Sequence, residues 1–225
     1  MGGLTEGNEG NEAKKGKAER KGKEEKKGNA GTGEALERLI VRVIAGTAKG
    51  RPLASVPGDS TRAITDRVKT ALFSILVSQG VVAGTRWLDL FGGTGAVGIE
   101  ALSRGAAEVV FVERSHQAIR VLGQNLSHTG VNDRSHVVRG DAFDYLRRAG
   151  VGPFDLIYVA PPQYQEMWQK ALRLIDSRPE LLAADGQVVV QIHPKEDDPE
   201  LVLQNLIRYD ERQYGSTRLI FYEPA

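Results

Sequence analysis

The stretch DLFGGTG at residues 89–95 decides the predicted fold, because it lies where a strand pattern over residues 87–91 meets a helical pattern over residues 96–104. Its glycines allow the backbone to turn tightly and to approach a ligand without a clash from a Cβ atom. The helix that follows points free N–H groups at whatever lies above it. A loop at the carboxyl end of a central parallel strand is the usual ligand crevice of an α/β sheet. This stretch therefore predicts a ligand-binding loop within an α/β domain.

Strand and helix patterns alternate from this loop onwards. Strands are predicted over residues 87–91, 108–113, 135–138, 156–159 and 186–192, and helices over residues 96–104, 116–126, 142–148, 164–174 and 179–183. Such alternation predicts right-handed βαβ units and a parallel sheet with helices on both faces. Residues 206–213 and 217–222 flank a short turn and predict an antiparallel hairpin that closes the sheet. We therefore expect a mostly parallel, seven-stranded α/β sheet.

The chain before the sheet divides into two parts. Residues 1–33 consist mainly of Gly, Lys and Glu, so they cannot bury enough apolar surface to offset the entropy of ordering, and we expect a disordered tail. Residues 34–80 are predicted to form an extension, and residues 81–225 the main domain. The expected elements of the extension are hairpin strands over residues 39–45 and 51–55, joined at Lys49-Gly50, and a helix over residues 65–76.

Composition excludes several classes of protein. The chain has no cysteine, which excludes a disulfide framework and a thiolate metal site, and its four histidines lack the spacing of a metal site. No apolar run approaches the roughly 20 residues that a membrane helix requires, and the start of the chain lacks the apolar core of a secretory signal. The formal net charge is +1, so the chain as a whole is not strongly basic. We therefore expect a cytoplasmic protein without a metal or a membrane anchor.

Three acidic residues separate two cofactor hypotheses for the glycine loop. The glycines of residues 93–98 satisfy the G-x-G-x-x-G pattern of dinucleotide-binding loops, which alone is weakly specific. Glu113 closes the second strand, where an acid can hold ribose hydroxyls of either cofactor. Asp89 would face a cationic group and would be unfavourable beside a pyrophosphate, and Asp141 adds a second acid to the crevice. This set favours a cationic sulfonium ligand, S-adenosylmethionine (AdoMet), over NAD or FAD; glycines that serve only the turn are the structural alternative.

Residues 89–106 resemble the AdoMet loop of the RsmD family, bacterial methyltransferases that act on the N2 atom of a guanine in 16S ribosomal RNA. Two upstream segments, RVIAGTAKGRPL at residues 42–53 and TRAITDRVKTALF at residues 61–73, are also similar to that family and are more specific than the glycine loop. The similarity runs from about residue 39 to residue 223. It implies a Rossmann-like class I AdoMet-dependent methyltransferase with an N-terminal hairpin-and-helix extension.

The resemblance also implies which residues bind the cofactor. The residues expected to contact AdoMet are Asp89, Gly92, Gly93 and Gly95 at the methionine part, Glu113 at the ribose hydroxyls, and Asp141 with the Ala142 N–H at the adenine. Thr65, Asp66 and Arg67 are expected to close over it. For Glu113 and Asp141 the alternative is a solvated strand end or a helix cap. For residues 65–67 the alternative is an ordinary capped helix.

The predicted catalytic loop, APPQY at residues 160–164, departs from the usual pattern. Amino-methylating enzymes usually carry Asp or Asn, then Pro-Pro, then Phe or Tyr. Here Ala160 stands in the acid position before Pro161 and Pro162, and Gln163 takes the aromatic position with Tyr164 one residue later. We expect the backbone carbonyls of Ala160 and Pro161 and the side chain of Gln163 to accept hydrogen bonds from the amine, and Tyr164 to stack on the base. The alternative is a lost active site that binds cofactor or RNA without transfer.

Basic residues concentrate before the main domain and predict a substrate face. They are Arg42, Lys49, Arg51, Arg62, Arg67 and Lys69. Part of this set would contact RNA phosphates, and a solvated surface is the alternative. The expected partner is 16S rRNA or the assembling small ribosomal subunit, bound by a monomer. An amino-methyltransferase that acts on DNA or on a different RNA remains the competing hypothesis.

Overall fold

The computed structural model describes residues 41–56, 64–163 and 165–225 of the chain. Several predictions fall outside these ranges. They concern the tail over residues 1–33, the start of the first hairpin strand, Arg62 and Tyr164.

A single seven-stranded sheet organises the described residues. Its strands are β1 (Arg86–Asp89), β2 (Glu108–Glu113), β3 (Ser135–Arg139), β4 (Phe154–Val159), β5 (Leu182–Ile192), β6 (Leu206–Tyr214) and β7 (Thr217–Pro224). They lie in the order β3-β2-β1-β4-β5-β7-β6. Strands β1 to β5 are parallel, and β7 is antiparallel to both β5 and β6. The predicted Rossmann-like fold with its terminal antiparallel hairpin is therefore confirmed.

The strand order places a topological switch point beside β1. The chain moves from β1 outward to β2 and β3, and then returns to the other side of β1 to form β4. In open α/β sheets, ligands bind outside the carboxyl ends of the strands at such a point. The loop after β1 and the loop after β4 are therefore neighbours at one edge of the sheet.

Helices cover both faces of the sheet. They are α1 (Asp66–Ser78), α2 (Ala96–Ser103), α3 (His116–Thr129), α4 (Ala142–Leu146) and α5 (Met167–Asp176), with single 3-10 turns at Asn132–Arg134, Pro179–Leu181 and Pro194–Glu196. Trp87 stacks on Phe73 of α1 on one face, and Trp168 of α5 is buried on the other. Both tryptophans are core residues, as predicted.

Most predicted helices differ from the structure by one to three residues at an end, and two predicted helical ranges differ for a clear reason. The helix predicted over residues 179–183 is wrong beyond one 3-10 turn, because Leu182 already pairs with Phe154 and begins β5. Sheet pairing and burial of Leu182 outweigh the local helical pattern there. The helix predicted from residue 164 begins only at Met167, because Glu166 adopts a left-handed backbone with φ of 52°.

The extension is fixed to α2 by a buried carboxylate. Both oxygens of Glu100 accept backbone N–H groups of the extension, from Ile44 at 2.7 Å and from Ala45 at 3.0 Å. Glu100 also forms ion pairs with Lys69 at 3.4 Å and with Arg104 at 2.7 Å. Removing one partner of such a buried network leaves an uncompensated charge, which is strongly destabilising.

Lys69 corrects one prediction about the substrate face. Its side chain is 0% exposed and also donates to the Arg42 carbonyl, so it cannot contact RNA phosphates. Burial lowers the pKa of Lys69, and the Glu100 carboxylate opposes that shift. The sequence pattern counted Lys69 as a surface cation because it gives no sign of a buried carboxylate 31 positions away.

Candidate cofactor and substrate site

The three predicted acids lie at one edge of the sheet. Asp89 ends β1, Glu113 ends β2, and Asp141 lies two residues beyond the end of β3. Because β1, β2 and β3 are parallel neighbours, their carboxyl ends meet at this edge. The structure thus brings the three acids to the same end of the sheet as the glycine loop, and their contacts with a cofactor stay a prediction.

The glycine loop packs closely against β2 and the neighbouring helices. The Gly92 N–H donates to the Val112 carbonyl at 2.9 Å. Gly95 has a left-handed φ of 84°, and a Cβ there would lie 2.4 Å from a methyl group of Leu122. A Cβ at Gly98 would lie 2.3 Å from the Phe111 ring. Gly95 is therefore favoured by its left-handed backbone in the turn, and Gly98, inside α2, by the close approach of the Phe111 ring.

Gly93 serves a different purpose within the same loop. It also has a left-handed φ, of 51°, but the nearest neighbour of an added Cβ would be the Phe91 carbonyl oxygen at 3.8 Å. Its N–H donates to Glu113, so the backbone at Gly93 is fixed while its Cα side remains uncrowded. Such a surface allows a ligand to approach the backbone closely.

Asp89 is a buried carboxyl group with a raised pKa. Its residue is 3% exposed, and Oδ2 accepts a hydrogen bond from the Gly98 N–H at 3.3 Å. Burial raises the pKa of Asp89 to about 7; the Gly98 N–H opposes this rise, and the negative charge of Glu113 adds to it. A cationic ligand group beside Asp89 would stabilise the ionised form and lower that pKa.

Glu113 organises the loop with both of its oxygens. Oε2 accepts from the Gly93 N–H at 2.9 Å, and Oε1 accepts from the Ser115 N–H at 2.7 Å. Each carboxylate oxygen can accept more than one hydrogen bond, so ribose hydroxyls remain possible donors to the same group. The side chain is partly buried and its orientation is set by the backbone, as a fixed binding group requires.

Asp141 is the N-cap of α4. Its Oδ1 accepts from the Phe143 N–H at 2.9 Å and from the Asp144 N–H at 3.1 Å. The helix-cap alternative therefore describes a real role of this residue. Within the described residues both bonds fall on Oδ1, which leaves Oδ2 for a ligand donor. Ala142 begins α4, where the first N–H groups lack intrahelical acceptors.

Residues 65–67 make the contacts of a capped helix. Thr65 accepts from the Val68 N–H at 3.4 Å, Asp66 pairs with Arg42 at 3.0 Å, and Arg67 is exposed. These contacts bind the start of α1 to the extension. Closure of Thr65, Asp66 and Arg67 over a cofactor stays a prediction.

The loop after β4 lies beside the glycine loop. The Leu90 N–H donates to the Tyr158 carbonyl at 3.0 Å, so β4 and the end of β1 are in direct contact. Ala160 and Pro161 follow β4 and are half-buried, whereas Pro162 and Gln163 are exposed. Position 160 offers no side-chain acceptor. Beneath the loop, the Tyr158 hydroxyl donates to Gln191 Oε1 at 2.5 Å, and burial raises the pKa of Tyr158, which keeps the phenol neutral.

Asn125 is a bridging residue that sequence reasoning missed. Its side-chain amide pairs with both backbone groups of Ala54: the Ala54 N–H donates to Oδ1 at 2.8 Å and Nδ2 donates to the Ala54 carbonyl at 3.0 Å. Nδ2 also donates to the Thr94 carbonyl at 2.9 Å. Asn125 thus joins the extension to the glycine loop. The one sequence signal is a polar residue on the apolar face of α3, between Leu122 and Leu126.

Two expected absences concern metals and membranes. In residues 41–56, 64–163 and 165–225, no group of three or more His, Cys, Asp or Glu side chains could hold a metal ion. No helix in the same ranges is long and apolar enough to cross a membrane.

Comparison with known proteins identifies the family. A family model described as "Conserved hypothetical protein 95" matches residues 41–223. The chain belongs to this family. Its relatives include proteins named as methyltransferases of small-subunit ribosomal RNA, so the chain is RsmD-like, as the sequence resemblance indicated.

Curated relatives and solved structures agree with this assignment. The Bacillus subtilis protein named "Putative rRNA methyltransferase YlbH" is 36% identical over 81% of this chain and 98% of its own length. The Haemophilus influenzae "Ribosomal RNA small subunit methyltransferase D" is 28% identical over 81% of this chain and 93% of its own length. The Escherichia coli structure titled "Putative methyltransferase yhhF" has a TM-score of 0.72 and 29% identity, and covers 82% of this chain and 98% of its own. These methyltransferase relatives support AdoMet as the cofactor of this RsmD-like chain.

Proposed function

We propose that this RsmD-like chain methylates the exocyclic N2 amino group of a guanine in 16S rRNA, with AdoMet as methyl donor. The observation that carries the proposal is the position of a Pro-Pro loop, residues 160–163, next to a crevice lined by three acids and a glycine loop. Relatives named as small-subunit rRNA methyltransferases support the RNA class. The N2 position and the guanine follow from the family resemblance in the sequence.

The cofactor is held at three points in this proposal. Asp89 and the backbone of Gly92, Gly93 and Gly95 bind the methionine part, and the buried Asp89 carboxylate pairs with its ammonium group. Glu113 accepts from the ribose hydroxyls, and Asp141 Oδ2 accepts from the adenine amine. Glu113 also fixes the backbone of Gly93, and Asp141 also caps α4. In this proposal both acids therefore bind the ligand and shape the backbone around it.

The loop after β4 orients the target amine. When bound, AdoMet supplies an electrophilic methyl group on a sulfonium leaving group. The guanine amine is a weak nucleophile, since its lone pair is delocalised into the ring. Acceptors for its two hydrogens direct the lone pair at the methyl carbon, and such positioning in a dry site supplies much of a rate enhancement. The carbonyls of Ala160 and Pro161 and the amide oxygen of Gln163 would supply these acceptors, and Tyr164 would stack on the base. Since none of these groups is a base, the proton released from the methylated amine would pass to solvent water.

The extension supplies part of the RNA surface. Its described part contains four exposed basic residues, Arg42, Lys49, Arg51 and Arg67. Arg51 also donates to the His128 carbonyl at 2.6 Å, which fixes its guanidinium on α3. We expect RNA affinity to fall with salt, and to drop when Lys49 and Arg51 are both changed to Glu.

The test is methyl transfer to 16S rRNA from a strain that lacks this modification, supplied both as naked RNA and as assembly intermediates. Mass spectrometry of the digested RNA identifies the modified base and atom. N2-methylguanosine at a single position supports the proposal. Protein that binds AdoMet yet labels neither substrate contradicts it, and indicates a binding module whose activity was lost with the acid at position 160. Labelling of DNA or another RNA would reassign the substrate.

A further inference from the structure

A cationic groove lies between α4 and α5, outside the cofactor crevice. Its volume is about 430 Å³, and it is lined by Arg147, Glu166, Gln169, Lys170, Arg173 and Leu174. Three of these residues carry a positive charge and one carries a negative charge. The groove therefore has a net positive lining and suits an anionic ligand.

Two of the cations are available to such a ligand. Lys170 and Arg173 are both exposed, and no carboxylate in the described ranges lies within 4.0 Å of either cationic group. They are three residues apart on α5, so they share a face of the helix about 4.5 Å apart along its axis. Arg147 pairs with Asp144 at 3.1 Å, but this ion pair is exposed and weak.

An unpaired acceptor also lines the groove. Gln169 Oε1 is buried and has no hydrogen-bond partner within the described part of the chain. A buried acceptor without a donor is unfavourable, so a rotation of the Gln169 amide that brings Oε1 into the groove, against a ligand hydroxyl or amine, would be stabilising. Phosphate oxygens are acceptors and cannot fill this role, whereas the ribose 2′-hydroxyl of RNA can donate.

Ring contacts connect the groove to the cofactor crevice. The Lys170 ammonium lies 4.1 Å from the centre of the Phe143 ring, two residues beyond Asp141. Phe143 in turn contacts Phe91 of the glycine loop edge-to-face, with ring centres 6.3 Å apart. Glu166, which also lines the groove, follows the predicted catalytic loop by two residues. An RNA strand with its target base at that loop would pass the groove.

We propose that this groove binds the sugar–phosphate backbone of the RNA strand that flanks the target guanine. Lys170 and Arg173 contact phosphates, and Gln169 accepts from a 2′-hydroxyl. The proposal rests on the proposed function, since it takes rRNA as the substrate. The groove lies on the face of the sheet covered by α4 and α5. The basic residues of the extension lie on the other face, which α1 to α3 cover, so the groove would be a second contact region for RNA.

The phosphate contacts are tested with Lys170→Gln/Arg173→Gln in the full chain. Loss of two contacts to a single strand lowers the slope of log Kd against log salt by about 1.4. Raising the salt from 50 mM to 200 mM weakens RNA binding by some factor in the wild type, and that factor should be about sevenfold smaller in the double variant. AdoMet affinity should not change. The matched control is Arg212→Gln, which removes an exposed arginine of β6 at the far edge of the sheet.

The outcomes separate this proposal from the proposed function. A wild-type slope in the double variant, with normal methyl transfer by the wild type, overturns the groove and leaves the function standing. Salt-dependent RNA binding that weakens in the double variant supports the groove even if no methyl transfer occurs. If the wild type binds no RNA, both fail. Replacing the riboses of the RNA by deoxyriboses should lower the affinity of the wild type and leave the affinity of Gln169→Leu unchanged. An equal loss of affinity in both proteins would show that Gln169 does not contact a 2′-hydroxyl.

Discussion

At the carboxyl ends of β1, β2 and β3, three acidic side chains are held by backbone N–H groups, whereas the loop after β4 presents no carboxylate. Asp89, Glu113 and Asp141 each accept at least one backbone hydrogen bond, so their positions are set before any ligand binds. Ala160 offers only its main chain. In the proposed function, the cofactor side of the site therefore relies on charge, whereas the substrate side relies on the main chain of a Pro-Pro loop.

The largest effect is expected from removing the buried charge on the cofactor side. Asp89→Asn keeps the shape of the side chain but leaves the ammonium of AdoMet without its partner. Truncating one partner of a buried ion pair costs about 3–5 kcal/mol, so AdoMet affinity should fall by about 10²- to 4 × 10³-fold. Isothermal titration calorimetry measures this. The control, Asp144→Asn, removes an exposed carboxylate of α4 and should leave the Kd unchanged; a normal Kd for Asp89→Asn would refute the ammonium contact.

Asn125 tests whether the extension and the glycine loop act as one unit. Asn125→Leu removes three part-buried hydrogen bonds and leaves backbone groups of Ala54 and Thr94 without these partners. Unfolding free energy should fall by about 2–3 kcal/mol, and AdoMet should bind more weakly because the loop is less well fixed. Chemical denaturation and calorimetry report the two effects. The neighbouring exposed Gln124→Leu should change neither; stability loss without weaker AdoMet binding would limit Asn125 to a role in folding.

The raised pKa of Asp89 predicts how cofactor binding depends on pH. Below about pH 7 the free protein carries Asp89 mostly neutral, and binding a cation requires its ionised form. Affinity should therefore rise by about tenfold per pH unit between pH 5.5 and 6.5 and level off near 7. Above pH 7 the α-amino group of AdoMet begins to lose its proton, since such groups have a pKa of about 7.7–8.0. Asp89→Asn should flatten the profile; a wild-type profile already flat below pH 7 would contradict the assignment.

On the substrate side, single side chains should matter less. Gln163→Ala removes one exposed acceptor and should lower the rate of the methyl-transfer step by about 3- to 10-fold, the usual worth of one hydrogen bond. AdoMet affinity should remain at the wild-type value. Single-turnover labelling of RNA measures the change. A loss above 10³-fold would mean that Gln163, not the main chain, provides the principal acceptor.

Periodicity made the sheet and the crevice predictable, because strands, helices and their carboxyl ends follow from local patterns. The glycine loop and the acids after β1, β2 and β3 were found in this way. Contacts that depend on distant residues could not be found. Lys69 is buried by Glu100, and Asn125 pairs with Ala54, 71 positions earlier. The residues 179–183 were mispredicted for the same reason, since pairing of Leu182 with β4 decides their conformation.

The central claim is that main-chain acceptors at residues 160 and 161 suffice for methyl transfer. Single-turnover labelling of unmodified 16S rRNA by the wild type and by Ala160→Asp, which restores a carboxylate before Pro161, tests it most directly. We predict that the wild type forms N2-methylguanosine at a rate within about 100-fold of the variant, since the added carboxylate supplies one further, charge-assisted hydrogen bond. A wild type that binds AdoMet and RNA but transfers no methyl group, beside an active Ala160→Asp, would contradict the account.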